Sequence, residues 1–234
     1  RPLGRAEYES GLSYGPFIEA DTFYWMANIP SSGMAVEWLR RVVPPGTPPV
    51  DYDTVDRLLA GQPAGPSGLL FGPFLSGMGT PSYNERLRGC LLGLDENTGF
   101  AQMLKAVVEG VALQGRSILT LAPAADGPLL VAGGAANSAP WMQLKADVMQ
   151  RPLRVSELRE GALYGAAGLL ARQLGAPFAR PQGCSALYTP NTTLAPAYAA
   201  LHHRYQGLVD WLSAEAAQPR EHQGKQQEEQ QQNG

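Results

Sequence analysis

Apolar positions along this chain fall into runs whose spacing switches between strand-like and helical. Residues 16–29 concentrate aromatic and apolar side chains around Ala20-Asp21, which predicts two strands joined as a hairpin. Ser31 and Ser32 then offer a helix cap, and Met34, Trp38, Leu39 and Val42 recur at helical spacing until Pro44 and Pro45 stop the run. Residues 44–49 form a turn-rich linker, after which Asp53 is placed to cap a short helix that continues through Leu59 and breaks over residues 61–68. Strand-like runs follow at residues 69–75 and 90–94, separated by a loop containing Gly77, Gly79 and Pro81.

From Thr98 the pattern becomes strongly helical, with Phe100, Leu104, Val107, Val108, Val111 and Ile118 on one face of a long element. Residues 129–132 form a short apolar strand, Gly133 and Gly134 make a turn, Ser138 caps, and Pro140 occupies the first turn of a helix reaching about Gln150. Another short strand at residues 152–155 leads into a helix of small residues over 157–174, and Thr193 caps a last helix through Tyr198, Leu201, Tyr205, Leu208 and Leu212. Strands mixed with helices at this spacing predict an α/β domain over residues 1–217. The glutamine-rich residues 218–234 carry almost no apolar side chains and read as a disordered tail.

Composition narrows the class of molecule. The chain has 234 residues, of which 44% are hydrophobic and 17% charged, and it contains 27 glycines and 20 prolines, a turn-rich globular composition. A formal net charge of −3 leaves no basic excess for a phosphate backbone, which argues against nucleic-acid binding. Cys90 and Cys184 stand too far apart for a metal-ligand pair or a disulfide framework, which favours a reducing compartment. No apolar run reaches the length needed to span a bilayer, so a cytoplasmic protein without membrane partners is expected. Because the chain starts at Arg1 while strand-like sequence begins almost at once, it is read as a fragment or a separated half of a longer protein.

Candidate chemistry centres on residues 129–147. A strand delivers the backbone to Gly133 and Gly134, where absent Cβ atoms would let a ring or phosphate approach, and the following helix starts with free N–H groups. The same pair also fits an ordinary strand-to-helix turn. Ser32-Gly33-Met34, with Glu37 one turn on, is open to the same two readings. Residues 76–80 are not a P-loop, since no Gly-Lys-Ser/Thr follows. Asp51, Asp53 and Asp56 open a helix and are explained by capping and the helix dipole. His202 and His203 point different ways from one helix, and no Gly-x-Ser-x-Gly occurs. Glu109, beside Gly110, suits either a buried helix contact or a site.

Several segments together resemble the FGGY carbohydrate kinases. Gly89-Cys-Leu-Leu-Gly93-Leu94 followed by residues 102–112 is similar to that family's second signature, and Pro73-Phe-Leu-Ser-Gly-Met-Gly-Thr-Pro81 precedes it as in the family. Residues 133–147 resemble its adenosine-side motif, and residues 160–171 its small-residue helix. The resemblance implies an actin-like ATPase fold, ribonuclease-H-like, with a mixed sheet flanked by helices, and matches the C-terminal half of a two-domain sugar kinase. It implies transfer of the γ-phosphoryl of ATP, with Mg2+, to a sugar or polyol hydroxyl. Nucleotide contacts carry over to Gly33, Gly134 and Ser138, with Gly133 beside them. Glu37 lies where some members carry Gln, and Met78-Gly79 replaces the Glu-Arg of many members. No catalytic residue carries over, because the family's catalytic aspartate and its Gly-Thr-Ser hairpin align upstream of Arg1. Implied partners are the sugar or polyol and the N-terminal sugar-binding domain, with a homodimer as a further candidate. The alternative is a non-catalytic interaction module that keeps the kinase fold.

Overall fold

The structure, a computed structural model, describes residues 5, 9, 11–17, 21–121, 127–158, 160–179 and 183–217. The tail expected to be disordered, 218–234, lies outside the described residues. Strands β1 (Ser13–Pro16) and β2 (Phe23–Met26) pair antiparallel, with Tyr14 opposite Trp25, and lead to helices α1 (Ser32–Arg40) and α2 (Tyr52–Ala60). Strands β3 (Leu70–Gly72) and β4 (Cys90–Leu92) form a second antiparallel pair, followed by the long helix α3 (Phe100–Leu121). Strand β5 (Leu129–Val131), a 3-10 turn (Gly134–Asn137), helix α4 (Ala139–Met149) and strand β6 (Leu153–Ser156) come next. Helix α5 (Gly161–Gln173), strand β7 (Cys184–Tyr188), a 3-10 turn (Thr192–Leu194) and helix α6 (Ala195–Ala217) complete the order. β5 and β6 run parallel and β7 antiparallel to β6, so the third sheet is mixed, as the α/β reading requires.

Helix α3 is the centre of the molecule. It is buried almost without interruption from Leu104 to Gln114 because α1, α2, α4, α6 and β3 all pack on it. At Gly110 the helix lies so close to β3 that a Cβ would run into the Phe71 carbonyl oxygen and stand 3.0 Å from the Phe71 ring. The neighbouring Glu109 is almost fully buried and takes up the packing role rather than a site role. Its carboxylate accepts the Ser67 N–H at 3.1 Å, the Ser67 hydroxyl at 2.6 Å and the Tyr198 hydroxyl at 3.3 Å. Gln102 Nε2 donates to the Ser67 carbonyl at 2.8 Å, and Lys105 Nζ donates to that of Pro63. About two turns of α3 thus hold the loop before β3 and also helix α6.

Several expected details move. The first strand of the hairpin lies at residues 13–16, before the aromatic cluster, because Gly15 leaves room for Tyr24 and Tyr14 stacks on Phe23 at 5.0 Å. α1 buries Ala35, Val36 and Leu39, whose smaller side chains allow close approach to α3, while Met34 and Val42 face outward. Trp38 stacks on Phe71 with ring centroids 6.2 Å apart. Ser31 does not cap α1 with its side chain; its Oγ accepts the Ser76 N–H at 3.1 Å. Asp51, not Asp53, caps α2 by accepting the Thr54 N–H at 2.7 Å. Asn191, not Thr193, caps the segment before α6. Strand β7 was not expected at all: along it only Ala186 and Tyr188 turn partly inward, so no apolar run announces it. Among the described residues no helix is long and apolar enough to cross a membrane, and both cysteines are free.

Three outcomes follow from the α3 contact. Glu109→Ala leaves the Ser67 and Tyr198 donors buried without an acceptor, and should lower unfolding free energy by about 3 kcal/mol in urea titration. Gly110→Ala, which overpacks the α3–β3 contact, should cost a similar amount, about 3 kcal/mol. Burial raises the Glu109 carboxyl above the ordinary value of 4.5, against the pull of its hydrogen bonds and Lys105. The folded state therefore holds this proton more tightly than the unfolded chain. The stability it confers is complete below the ordinary carboxylate range and is lost as pH rises through the raised value. Glu109→Gln should remove this part of the slope when stabilities at pH values across that window are compared with the parent.

Candidate functional site

The parallel strands β5 and β6 end side by side, and the chain leaves each of them at the edge of one cleft. After β5, Gly133 adopts φ 99°, in the left-handed region that favours glycine, and the chain then coils through the 3-10 turn beginning at Gly134. A Cβ built at Gly133 or at Gly134 meets no atom within 4 Å, so the backbone there is open to a ligand. After β6, residues Ser156, Glu157 and Leu158 form the facing edge. The cleft encloses about 510 Å³ over a floor that includes Val155, Ala186 and Tyr188. That volume suits a small molecule, and the carboxyl ends of parallel strands are where α/β sheets bind one.

Ser138 sits directly beyond the turn. Its Oγ accepts the Trp141 N–H at 3.3 Å, capping α4, and donates its proton to Asp56 Oδ1 at 2.6 Å. The expected helix cap is therefore present, and the hydroxyl is additionally tied to α2. Asp56 ties α2 to α4 instead of complementing the α2 dipole. Gly33 lies in the first turn of α1 with open space where a Cβ would stand, but does not line the cleft. Glu37 is held by the Tyr52 hydroxyl at 3.0 Å and by Arg40; these contacts, with the Tyr52 bond foremost, lower its carboxyl below the usual range. The structure thus brings Gly133 and Gly134 into one cleft, places Ser138 directly after the turn as the α4 cap, and leaves Gly33 outside the lining.

Sequence reading missed the β7 side of the cleft, which includes part of its floor. Ser185, Ala186 and Tyr188 come from β7, and Glu157 follows β6. The Glu157 carboxylate lies against Gly183, in the space a side chain at 183 would fill. The available signal was a six-residue run between Gly183 and Pro190, a short strand between turn residues. The adjacent histidines do point different ways: His202 is buried and shares a 2.8 Å hydrogen bond with Ser117 Oγ, and burial, with Arg116 nearby, lowers its pKa, whereas His203 is exposed. Among the described residues no group of three or more His, Cys, Asp or Glu side chains is placed to hold a metal ion.

Comparison with known proteins places this architecture. The model of the FGGY family of carbohydrate kinases, C-terminal domain, matches residues 10–174. A xylulose kinase of Staphylococcus epidermidis is 29% identical over 171 residues, which are 72% of this chain and 34% of that protein. A glycerol kinase of Gloeobacter violaceus is 34% identical over 147 residues, 59% of this chain and 29% of that one. The solved structure of a xyloylose kinase from Brucella ovis superposes with TM-score 0.78 at 28% identity, covering 88% of this chain and 44% of that chain. The glycerol kinase of Plasmodium falciparum, solved with ADP, shares the fold at TM-score 0.69 and 18% identity, covering 87% of this chain and 43% of that chain. The chain spans about a third of the length of the curated relatives it matches. With a matched segment covering most of the described residues, and with the mixed sheet and flanking helices of the actin-like sugar kinases, this chain belongs to the FGGY family of carbohydrate kinases, as its C-terminal domain.

Proposed function

We propose that the cleft at Gly133-Gly134 binds ATP, and that the chain supplies the nucleotide side of a phosphoryl transfer to a sugar or polyol hydroxyl. The observation that carries this is the open glycine turn at the ends of two parallel strands, in a member of a carbohydrate kinase family. The Plasmodium falciparum glycerol kinase, which shares the fold, was solved with ADP. ATP supplies the γ-phosphoryl group when bound, with Mg2+ carried on its phosphates. Gly133 and Gly134 let the ligand reach the backbone, and Ser138 and Asp56 fix the turn by joining α4 to α2. Gly33, at the start of α1, would meet the nucleotide from outside the cleft.

Phosphoryl transfer depends mainly on positioning and charge neutralisation, so a domain that holds only the nucleotide binds without turning over. In this reading the acceptor sugar and the catalytic base belong to a preceding N-terminal domain of the same enzyme. The 234-residue chain, mixed with ATP and either xylulose or glycerol, should therefore form no ADP above the buffer rate in a coupled assay. Robust turnover by the chain alone would overturn that division of labour.

Binding and stability separate the residues of the turn. Gly134→Val should fold as the parent does, since its Cβ enters open space, yet abolish calorimetric binding of millimolar MgATP. Ser138→Ala should behave oppositely. It removes the α4 cap and the Asp56 donor, lowering unfolding free energy by about 1–2 kcal/mol, while ATP binding weakens by only the worth of one hydrogen bond, about 0.5–1.5 kcal/mol. A parent chain that binds no MgATP, or a Gly134→Val variant that binds it equally well, would sink the assignment.

A further inference from the structure

We infer that a second cavity, between helices α3 and α4, binds a small zwitterion, an α-amino acid with a short side chain, its ammonium group on Asp147 and its carboxylate on Lys105. This site is independent of the ATP reading. The cavity encloses about 190 Å³ and shares no lining residue with the cleft at the glycine turn. Its walls come from the end of α2 and the loop after it, from α3, α4 and α6, and every stretch that contributes lies within the described residues.

Two charged side chains line this cavity, and both are nearly out of water: Lys105 is 4% and Asp147 9% exposed. Lys105 Nζ donates to the Pro63 carbonyl, which leaves two of its three protons. Asp147 Oδ1 accepts Gln143 Nε2 at 2.9 Å and the Asn191 N–H at 2.8 Å, which leaves Oδ2. Neither side chain makes a further hydrogen bond or ion pair among the described residues, so the two charges are not paired with each other. Burial lowers the Lys105 pKa, while the nearby Glu109 and Asp147 carboxylates pull against that and favour the ammonium form. A charge taken out of water costs free energy until its hydrogen-bonding positions are filled. The remaining protons of Lys105 and the remaining oxygen of Asp147 are filled by what occupies the space they share.

Opposite charges on one small cavity select the occupant. An anion is attracted by Lys105 and repelled by Asp147, and a cation the reverse. A zwitterion meets an opposite charge at each end through charge-assisted hydrogen bonds and brings in no net charge. Water or a neutral hydroxyl compound also reaches both groups, but with one charged partner per bond instead of two. Glu109, one turn along α3, stays outside the lining because its carboxylate is taken by Ser67 and Tyr198. Leu59, Pro140 and Leu144 supply an apolar wall for the Cα–H and a short side chain. At about 30 Å³ per water the cavity has room for about six waters, which suits a ligand of about five or six heavy atoms and excludes a large side chain.

The test is equilibrium dialysis of the 234-residue chain against radiolabelled free glycine and alanine at millimolar concentration, with acetate, methylammonium and glycerol as competitors. The parent should bind both amino acids, and none of the competitors, each of which carries only part of the zwitterion, should displace them at equal concentration. Asp147→Asn keeps the shape of the side chain and an oxygen for Gln143 and Asn191 but loses the charge, and should weaken binding at least about tenfold, the worth of a hydrogen bond to a charged group. Lys105→Met, close in length, should weaken it by as much. Thermal melts report whether each variant is folded, and the isosteric Asp147→Asn carries the test if Lys105→Met is not. No binding to the parent would leave the cavity to water and overturn the inference. Displacement by acetate or by methylammonium alone would overturn the zwitterion, and displacement by glycerol would make the site one for neutral hydroxyl compounds and overturn it equally. Undiminished binding by folded Asp147→Asn would place the amino acid elsewhere and overturn the assignment. The ATP reading stands or falls separately, on the Gly134→Val titration.

Discussion

Helix α3 and strand β3 touch backbone to backbone at Gly110 and Phe71, and much of the structure is arranged around that approach. A side chain at 110 would force the helix away from the strand, and the core on both sides would open. The same turn of helix buries Glu109, a carboxylate taken out of water. It is retained because three donors from Ser67 and Tyr198 replace its hydration. Those donors belong to the loop before β3 and to α6, so satisfying one buried group fixes the positions of two distant segments.

The cleft is positioned by the same core. Ala136 in the glycine turn, Trp141 and Met142 at the start of α4, and Val155 of β6 pack in one apolar cluster with Val107, Val108 and Val111 of α3. The turn is therefore a rigid edge, although Gly133 and Gly134 themselves carry no side chains. The Ser138–Asp56 bond adds a lateral tie from α4 to α2, which steadies the entry into α4 from a second direction. A site resting on packed helices and paired strands has its geometry set by the fold itself.

The α5 segment contrasts with this. None of its residues is buried, and Leu163, Leu170 and Leu174 are exposed. Its small residues would allow close packing. Within the described residues that role is limited to Gly168, which lies under the Phe178 ring, while Tyr164 meets that ring in a tilted contact at 4.6 Å. Small side chains permit a close contact; they do not choose the partner.

What the sequence by itself determined is the unit from β5 to α4. An apolar run, a glycine needing positive φ, a serine three residues before the N–H it accepts, and a proline in the first turn all act locally. The long apolar face of α3 was legible for the same reason: periodicity of 3.6 is a local property. Only the tertiary structure decided the partners. Ser138 meets Asp56 across 82 residues, and Glu109 meets Ser67 across 42 and Tyr198 across 89. Strand β7 exists because β6 offers it a ladder, and its own side chains alternate too weakly to declare it. With β7 hidden, the second wall of the cleft and the Glu157–Gly183 contact stayed hidden too. Spacing along a chain records which face a residue can take, whereas contact across the fold depends on which other face arrives.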